Sequence, residues 1–210
     1  MAPTQVFLVD DEAAVRDALG FLLASRGLHV APFESGPALL DHLQTLPAPP
    51  SGVFVLDVRM EPMPGPRLHE ALLARGLRNP VIFLSGHGDI PMVVAALKRG
   101  AFDFLEKPYS DNALVDRIEQ ALRVAEAMQV QDSQSQERQA RLASLTDREH
   151  EVMRRVASGQ LNKQMADGLH VSIRTIEVHR ARVFSKLGVR SAAELAGWLA
   201  QTDPTPGKPR

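Results

Sequence analysis

The sequence predicts an α/β domain with a five-stranded, doubly wound parallel sheet, followed by a smaller all-α domain. In the first 120 residues, short continuous apolar runs alternate with stretches whose apolar residues recur at helical spacing. That alternation is typical of a parallel sheet covered by helices on both faces. Beyond residue 145 only the helical spacing remains. The 210 residues are enough for two domains of ordinary size.

The five predicted strands are apolar or β-rich runs, and most of them end abruptly in a polar residue. In chain order they cover residues 6–9, 29–31, 53–56, 81–84 and 102–105. Apolar residues spaced three or four apart predict the helices between and after them. Examples are Val15 with Leu19, Leu68 with Leu72, Val93 with Leu97, and Leu114 with Ile118.

The domain boundaries follow from changes in composition. We predict an α/β domain over 1–124, a Gln-rich helical linker over 125–144, an all-α domain over 145–200 and a disordered tail over 201–210. Five glutamines fall between Gln129 and Gln139, and neither Gly nor Pro interrupts that stretch, so a helical extension is expected there. The tail carries three prolines.

Charge and composition separate the two halves and exclude several classes of protein. Residues 1–125 hold 11 basic and 15 acidic side chains, and the remainder hold 13 and 10, so the rear half is a candidate for nucleic acid. A chance distribution would give a similar split. The absence of cysteine excludes disulfides, thiolate metal sites and a cysteine nucleophile. With no run of about 18 apolar residues, we expect a cytoplasmic protein without a membrane partner.

Five polar residues follow four of the predicted strands, where the carboxyl ends of parallel strands form a ligand-binding edge. They are Asp10, Asp11, Asp57, Ser85 and Lys107. Three neighbouring carboxylates repel one another unless a cation lies between them, and all-oxygen ligands favour Mg²⁺. The Lys107 ammonium and the Ser85 hydroxyl suit a tetrahedral anion. The alternative is that each residue merely caps its strand.

Four segments of this front domain resemble the receiver domain of two-component response regulators over about residues 5–120. They are VFLVDDE, VFVLDVRM, VIFLSGHGD and FDFLEKP. The resemblance implies that Asp57 is the phosphoacceptor, which receives its phosphoryl group from a sensor histidine kinase. It also implies Mg²⁺ as the cofactor, held by Asp10, Asp11, Asp57 and the backbone carbonyl of Arg59.

The same resemblance assigns the residues that sense the phosphoryl group. Ser85 and Lys107 match the residues that bind its oxygens, and Phe104 occupies the position of the switch aromatic, where it can signal only by how its ring packs. The Lys107–Pro108 peptide bond resembles a cis bond of the family. Phosphorylation is then expected to favour a homodimer through the fourth helix, fifth strand and fifth helix.

Two alternatives are open, and one departure from the family pattern keeps the second of them open. Proline usually stands four residues after the phosphoacceptor, whereas here Glu61 holds that position and Pro62 follows it. One alternative is a Mg²⁺-dependent phosphatase that uses Asp57 as its nucleophile, but such an enzyme needs a carboxylate where this chain has Arg59. The other is a regulator that acts without phosphorylation. We expect a regulator and no enzyme.

The rear domain carries the signals of a helix-turn-helix. Thr146 and Glu149 form a capping box at the start of one helix, and Ser172 is a suitable N-cap for another. Residues 162–181 read as two helices joined by a tight turn, with the second helix starting at Ile173. Residues 146–190 hold nine basic and five acidic side chains, which suits phosphate contacts. A helical bundle with a solvated basic face is the alternative.

Residues 145–200 closely resemble the LuxR-type helix-turn-helix, and with the receiver signature they point to a FixJ-like member of the NarL/FixJ response regulators. The resemblance implies a transcription regulator that works with promoter DNA and RNA polymerase. The expected DNA-binding residues are Lys163, Ser172, Arg174, Thr175, Glu177, Val178, His179, Arg180, Ala181 and Arg182. Arg174 and Glu177 could instead pair to stabilise their helix, and His179 could serve packing.

Overall fold

The computed structural model describes residues 5–86 and 90–200, with the backbone alone for residues 90, 91 and 93. Five parallel strands form one sheet in the order β2-β1-β3-β4-β5, which confirms the predicted doubly wound α/β domain. The strands are β1 (Gln5–Val9), β2 (Val30–Phe33), β3 (Gly52–Asp57), β4 (Val81–Ser85) and β5 (Asp103–Glu106). The second strand starts one residue later than predicted and runs two residues further.

The helices of the described part of the chain connect and follow these strands. They are α1 (Ala13–Ser25), α2 (Gly36–Thr45), α3 (Gly65–Ala74), α4 (Ile90–Lys98), α5 (Asp111–Ala143), α6 (Asp147–Ala157), α7 (Asn162–Leu169), α8 (Ile173–Leu187) and α9 (Ala192–Ala200). None of them combines the length and the apolar character that a membrane crossing needs.

Each face of the sheet has its own core. On one face, α2, α3 and α4 cover Phe7, Phe54 and Phe83. On the other face, α1 and α5 cover Val55 and Ile82. These strand residues are at most 2 % exposed. Because both faces are buried, the strands must be continuously apolar, which is why they were visible in the sequence.

The two outer strands of the sheet are short and differ in composition from the central ones. β2 has four residues and includes Pro32, which lies opposite Leu8 of β1. β5 also has four residues and begins and ends with the acids Asp103 and Glu106. The hydrophobic strands β1, β3 and β4 therefore occupy the middle of the sheet.

The chain divides into two compact units between Val130 and Gln131. The boundary lies six residues beyond the predicted end of the α/β domain, because α5 continues past residue 124. In the second unit, α6, α7, α8 and α9 enclose a core that includes Val152, Ile176 and Leu195. The predicted tail at 201–210 lies outside the described residues.

Candidate functional site

The carboxyl ends of four strands bring the predicted polar residues to one edge of the sheet. Asp10 follows β1, Asp57 ends β3, Ser85 ends β4, and Lys107 follows β5. Asp10, Asp57 and Ser85 are only 1 %, 7 % and 3 % exposed. β1 and β3 are neighbours at the point where the strand order reverses, and such a point is where open α/β sheets bind ligands.

Asp57 is held by two donors. Lys107 Nζ donates to its Oδ1 at 2.6 Å, and the backbone N–H of Arg59 donates to its Oδ2 at 2.7 Å. Lys107 Nζ also lies 3.5 Å from Asp10 Oδ2. Burial opposes the charge of Lys107, but the hydrogen bond and the charge of Asp57 outweigh it and raise the pKa of Lys107. Lys107 therefore stays protonated beside Asp57.

Asp10 is the carboxylate in this pocket that lacks full compensation. Its Oδ1 accepts a hydrogen bond from the Glu12 N–H at 2.9 Å, whereas its Oδ2 is buried without a hydrogen-bond partner in the described structure. Burial raises the pKa of Asp10, and the charge of Asp57 raises it further. The Glu12 N–H and Lys107 lower this pKa, but their effect is smaller. A hard cation would satisfy this oxygen, so the donor set fits Mg²⁺.

The arrangement nevertheless differs from the predicted cluster of three converging carboxylates. Within residues 5–86 and 90–200, no three acidic or imidazole side chains lie together as a ready metal site. Asp11 is exposed, and its Oδ2 accepts a hydrogen bond from the Glu61 N–H at 3.2 Å. The ion pairs of the described pocket join Lys107 to Asp10 and Asp57, and they do not include Asp11.

Gly65 is a residue of the site that the sequence analysis missed. It opens α3, and its N–H donates to the Val58 carbonyl at 3.1 Å. A Cβ at this position would lie 2.3 Å from the Asp57 carbonyl oxygen and 3.2 Å from Phe83 Cε1. Glycine alone therefore lets α3 begin directly against the end of β3. The sequence signal was a glycine placed just inside a helix start, after Pro64.

Ser85 and Phe104 lie on adjacent strands. Ser85 is opposite Glu106 in the β4–β5 register, and its carbonyl accepts the Lys107 N–H at 2.7 Å. Phe104 is half-buried against the core beneath α4, which includes Ala96 and Ala101. The Lys107–Pro108 and Glu61–Pro62 peptide bonds are both cis. Phe104 thus lies on the strand that leads to Lys107, next to the strand that ends in Ser85.

The helix pair of the rear domain has the predicted start signals. Thr146 Oγ1 accepts from the Glu149 N–H while Glu149 accepts from the Thr146 N–H, which confirms the capping box of α6. Ser172 Oγ accepts from the Thr175 N–H at 3.1 Å, which confirms the N-cap of α8. α7 and α8 are joined by three residues, as a helix-turn-helix requires.

Most of the predicted DNA-binding residues of α7 and α8 are exposed. The exposed ones are Lys163, Ser172, Arg174, Glu177, Val178, Ala181 and Arg182, while Thr175, His179 and Arg180 are half-buried. Arg174 and Glu177 form no ion pair with each other in the described structure. A DNA-binding role of Arg174 and Glu177 stays a prediction.

Two of the predicted DNA-binding residues, Arg180 and His179, are partly engaged within the domain. Arg180 has partners there, and one ring nitrogen of His179 is buried. Arg180 Nη1 donates to Asn162 Oδ1 at the start of α7, and its guanidinium lies 5.5 Å from the centre of the Phe184 ring. Arg180 therefore joins α7 to α8 through a contact that does not involve DNA. His179 has a buried Nδ1 that finds no hydrogen-bond partner among the described residues.

Glu149 links the stability of this domain to pH. It is 3 % exposed. The hydrogen bond from Lys186, followed by that from the Thr146 N–H, lowers its pKa and outweighs burial, which by itself would raise the pKa. A folded-state pKa below the unfolded one stabilises the fold above about pH 4.3, and that contribution is lost as pH falls through the folded value.

We expect Glu149→Gln to reduce the loss of stability on acidification and to lower stability at pH 7. The Gln side chain cannot ionise, so it removes the pH-dependent contribution, and it leaves Lys186 without its charged partner. Fluorescence of Trp198, the single tryptophan, reports unfolding of this core in urea. The exposed control Glu126→Gln should follow the parent chain, and an equally acid-sensitive Glu149→Gln would contradict the assignment.

Comparison with known families follows this division into two units. The family profile of the response regulator receiver domain matches residues 6–119. The profile of the luxR family of bacterial regulatory proteins matches residues 143–199. Together, the sheet with its buried aspartates and the exposed helix pair define a receiver domain joined to a DNA-binding domain.

Characterised relatives share this organisation over nearly their whole length. The chain is 48 % identical to the C4-dicarboxylate transport transcriptional regulatory protein DctR of Rhodobacter capsulatus, over 91 % of this chain and 96 % of DctR. It is 42 % identical to the transcriptional regulatory protein FixJ of Bradyrhizobium diazoefficiens, over 90 % and 91 %. The structure of response regulator StyR matches with a TM-score of 0.86 and 40 % identity, over 95 % of this chain and all of StyR. The chain belongs to the response regulators with a LuxR-type DNA-binding domain, and it is a FixJ-like transcription regulator.

Proposed function

We propose that the chain accepts a phosphoryl group on Asp57 from a sensor histidine kinase and then dimerises to bind promoter DNA. The observation that carries this proposal is the buried Asp57 carboxylate, paired with Lys107 at 2.6 Å beside an Asp10 oxygen that lacks a hydrogen bond. This carboxylate lies at the carboxyl end of β3, at the edge where open α/β sheets bind their ligands.

The proposed transfer uses Asp57, Lys107 and Ser85 together with Mg²⁺. An Asp57 oxygen bonds to phosphorus as the phosphorus–nitrogen bond of the kinase phosphohistidine breaks. Lys107 moves its hydrogen bond from the carboxylate to a phosphoryl oxygen, and the Ser85 hydroxyl donates to another. Mg²⁺, held by Asp10, Asp11, Asp57 and the Arg59 carbonyl, would supply further positive charge against the phosphoryl oxygens.

The dimer surface would be formed by α4, β5 and α5. α4 exposes Met92 and Val94, each at 43 %, and Phe104 packs beneath this helix. When Ser85 and Lys107 bind the phosphoryl group, the space around Phe104 changes and the ring repacks. The phosphorylated state thereby favours one arrangement of α4, and dimerisation selects it. A dimer places two DNA-binding domains on a two-half-site operator and raises the affinity through effective concentration.

The direct test is to incubate the full chain with a small phosphodonor, with and without Mg²⁺. Mass spectrometry should show a gain of one phosphoryl group, about 80 Da, only when Mg²⁺ is present. Light scattering in the same samples should show dimers in proportion to that gain. A metal-independent reaction would contradict the role given to the carboxylates, and steady turnover of the donor would support a phosphatase.

Lys107→Ala should separate phosphorylation from switching. Asp57 and the metal ligands remain, so we expect the mass gain to persist at a lower rate. The phosphoryl oxygens lose their ammonium partner, so the dimer population should fall about tenfold, as for a lost charged hydrogen bond. Exposed Arg78 offers a control, since Arg78→Ala should phosphorylate and dimerise like the parent. Parent-like dimerisation of phosphorylated Lys107→Ala would show that the coupling is wrong.

The exposed face of α8 predicts how DNA is read. Glu177 can accept a hydrogen bond from cytosine N4, so Glu177→Ala should relax base preference by about 1–3 kcal/mol at one position per half-site. Arg182→Ala should weaken all sequences alike and reduce the salt dependence by about one unit. Arg182 is a cleaner phosphate probe than Arg180, which also binds Asn162. Titrations of selected and scrambled duplexes at several salt concentrations distinguish these effects, and an unchanged base preference in Glu177→Ala would exclude base contact.

A further inference from the structure

The C-terminal end of α8 is held by two cations that belong to none of the predicted DNA contacts. Lys186 Nζ donates to Glu149 Oε2 at 2.6 Å and to the Ser144 carbonyl at 2.8 Å. Arg141 Nη1 donates to the Leu187 carbonyl at 3.1 Å. These three hydrogen bonds join the last turn of α8 to the end of α5 and to the start of α6.

The local environment makes these contacts specific. The Glu149 side chain is 4 % exposed and that of Lys186 is 35 % exposed, so the carboxylate depends on this cation for its compensation. Arg141 meets α8 where the macrodipole of the helix is negative. Gly188 ends α8 with a φ of +71°, and a Cβ there would lie 2.8 Å from Arg141 Nη1. Glycine therefore both ends the helix and leaves space for the guanidinium.

The contacts at the C-terminal end of α8 determine the direction of its N-terminal end. α8 has 15 residues and is about 22 Å long, and its exposed DNA-facing residues lie in the first three turns. A helix of this length moves as one body, so a small displacement of Leu187 changes the direction of Arg174 and Glu177. Within the described residues, the N-terminal half of α8 is tied to α7 by Arg180, and the C-terminal end is tied by Arg141 and Lys186.

We propose that Arg141 and Lys186 are positioning residues for DNA recognition, which orient α8 without touching DNA. The inference rests on the DNA binding proposed above. It assigns a role in recognition to Arg141, which lies in the last turns of α5, outside the helix-turn-helix. The terminal segment of α5 is thereby part of the DNA-reading apparatus.

The test uses the full chain and a duplex that the parent chain selects from random-sequence DNA. Arg141→Gln should lower the affinity for this duplex about tenfold, as for a lost charged hydrogen bond, and should affect the scrambled duplex much less. The salt dependence should stay that of the parent, because no phosphate contact is lost. Arg141→Lys keeps a cation at the Leu187 carbonyl and should recover most of the affinity. The exposed Arg78→Gln, which lies outside α4, β5 and α5, should behave like the parent.

Each other outcome overturns the inference. A salt dependence reduced by one unit would make Arg141 a phosphate contact, and an unchanged selected affinity would make it irrelevant to recognition. If a smaller fraction of Arg141→Gln binds DNA, but with the dissociation constant of the parent, the role of Arg141 is purely structural. Trp198 fluorescence would then show the remaining fraction as unfolded. If the parent chain selects no sequence at all, the proposed function fails and the inference fails with it, a result distinct from failure in Arg141→Gln alone.

Discussion

Asp57→Asn is expected to lose the whole phosphodonor-dependent mass gain of about 80 Da. The substituted asparagine would keep the size of the side chain and could still accept a hydrogen bond from Lys107, but an amide nitrogen replaces one nucleophilic oxygen and the negative charge is gone. Dimerisation on addition of the donor should vanish together with the mass gain. Intact-mass spectrometry and light scattering of the same sample test both results.

The matched control is Asp41→Asn on the exposed surface of α2. It removes one aspartate without touching the pocket, so it should gain one phosphoryl group and dimerise like the parent chain. A modified Asp57→Asn protein would place the acceptor elsewhere, and neighbouring Asp10 and Asp11 would then be the first positions to map by peptide sequencing.

Gly65→Ala should cause the second large effect, through the backbone that carries Asp57. A methyl group 2.3 Å from the Asp57 carbonyl oxygen cannot be accommodated unless α3 or β3 shifts. Overpacking of this kind costs about 1–3 kcal/mol of unfolding free energy. Because the displaced atoms belong to Asp57, the proposed phosphoacceptor, phosphorylation should also slow markedly in the fraction that remains folded. Urea unfolding followed by circular dichroism and the rate of mass gain measure the two effects separately.

Gly20→Ala provides the comparison for Gly65→Ala. Gly20 lies within α1, and no atom lies within 4 Å of the Cβ that alanine would add. Alanine in a helix interior is favoured over glycine by about 1 kcal/mol, so this variant should be as stable as the parent or more so. If both variants unfold alike and phosphorylate at the parent rate, the close approach at Gly65 has no part in the site.

The sequence predicted most of the sheet and the pocket for one physical reason. Strands buried on both faces are continuously apolar, so their ends are marked by Asp10, Asp57 and Ser85. The N-caps at Thr146 and Ser172 were also predictable, because a cap depends on residues only three positions apart in the chain.

What the sequence could not predict depends on contacts between distant segments. The approach of Gly65 to Asp57 and the bond between Arg180 and Asn162 require two elements to be placed in space first. The position of Asp11 is a further example, since its carboxylate accepts a hydrogen bond from the Glu61 N–H, 50 residues away in the chain. Residues 125–143, which were expected to form a helical linker, lie in α5, but the continuation of that helix from Asp111 without a break was not predicted.

The composition of the two outer strands limits how copies of this protein can associate. Unpaired backbone groups on an edge strand invite another chain to add a strand, which leads to aggregates. Pro32 has no N–H to offer at one edge, and the acids Asp103 and Glu106 flank the other, so both edges discourage such pairing. The proposed dimer would therefore form through helices and side chains and not by strand addition. The concentrated protein should resist forming cross-β aggregates from its folded state.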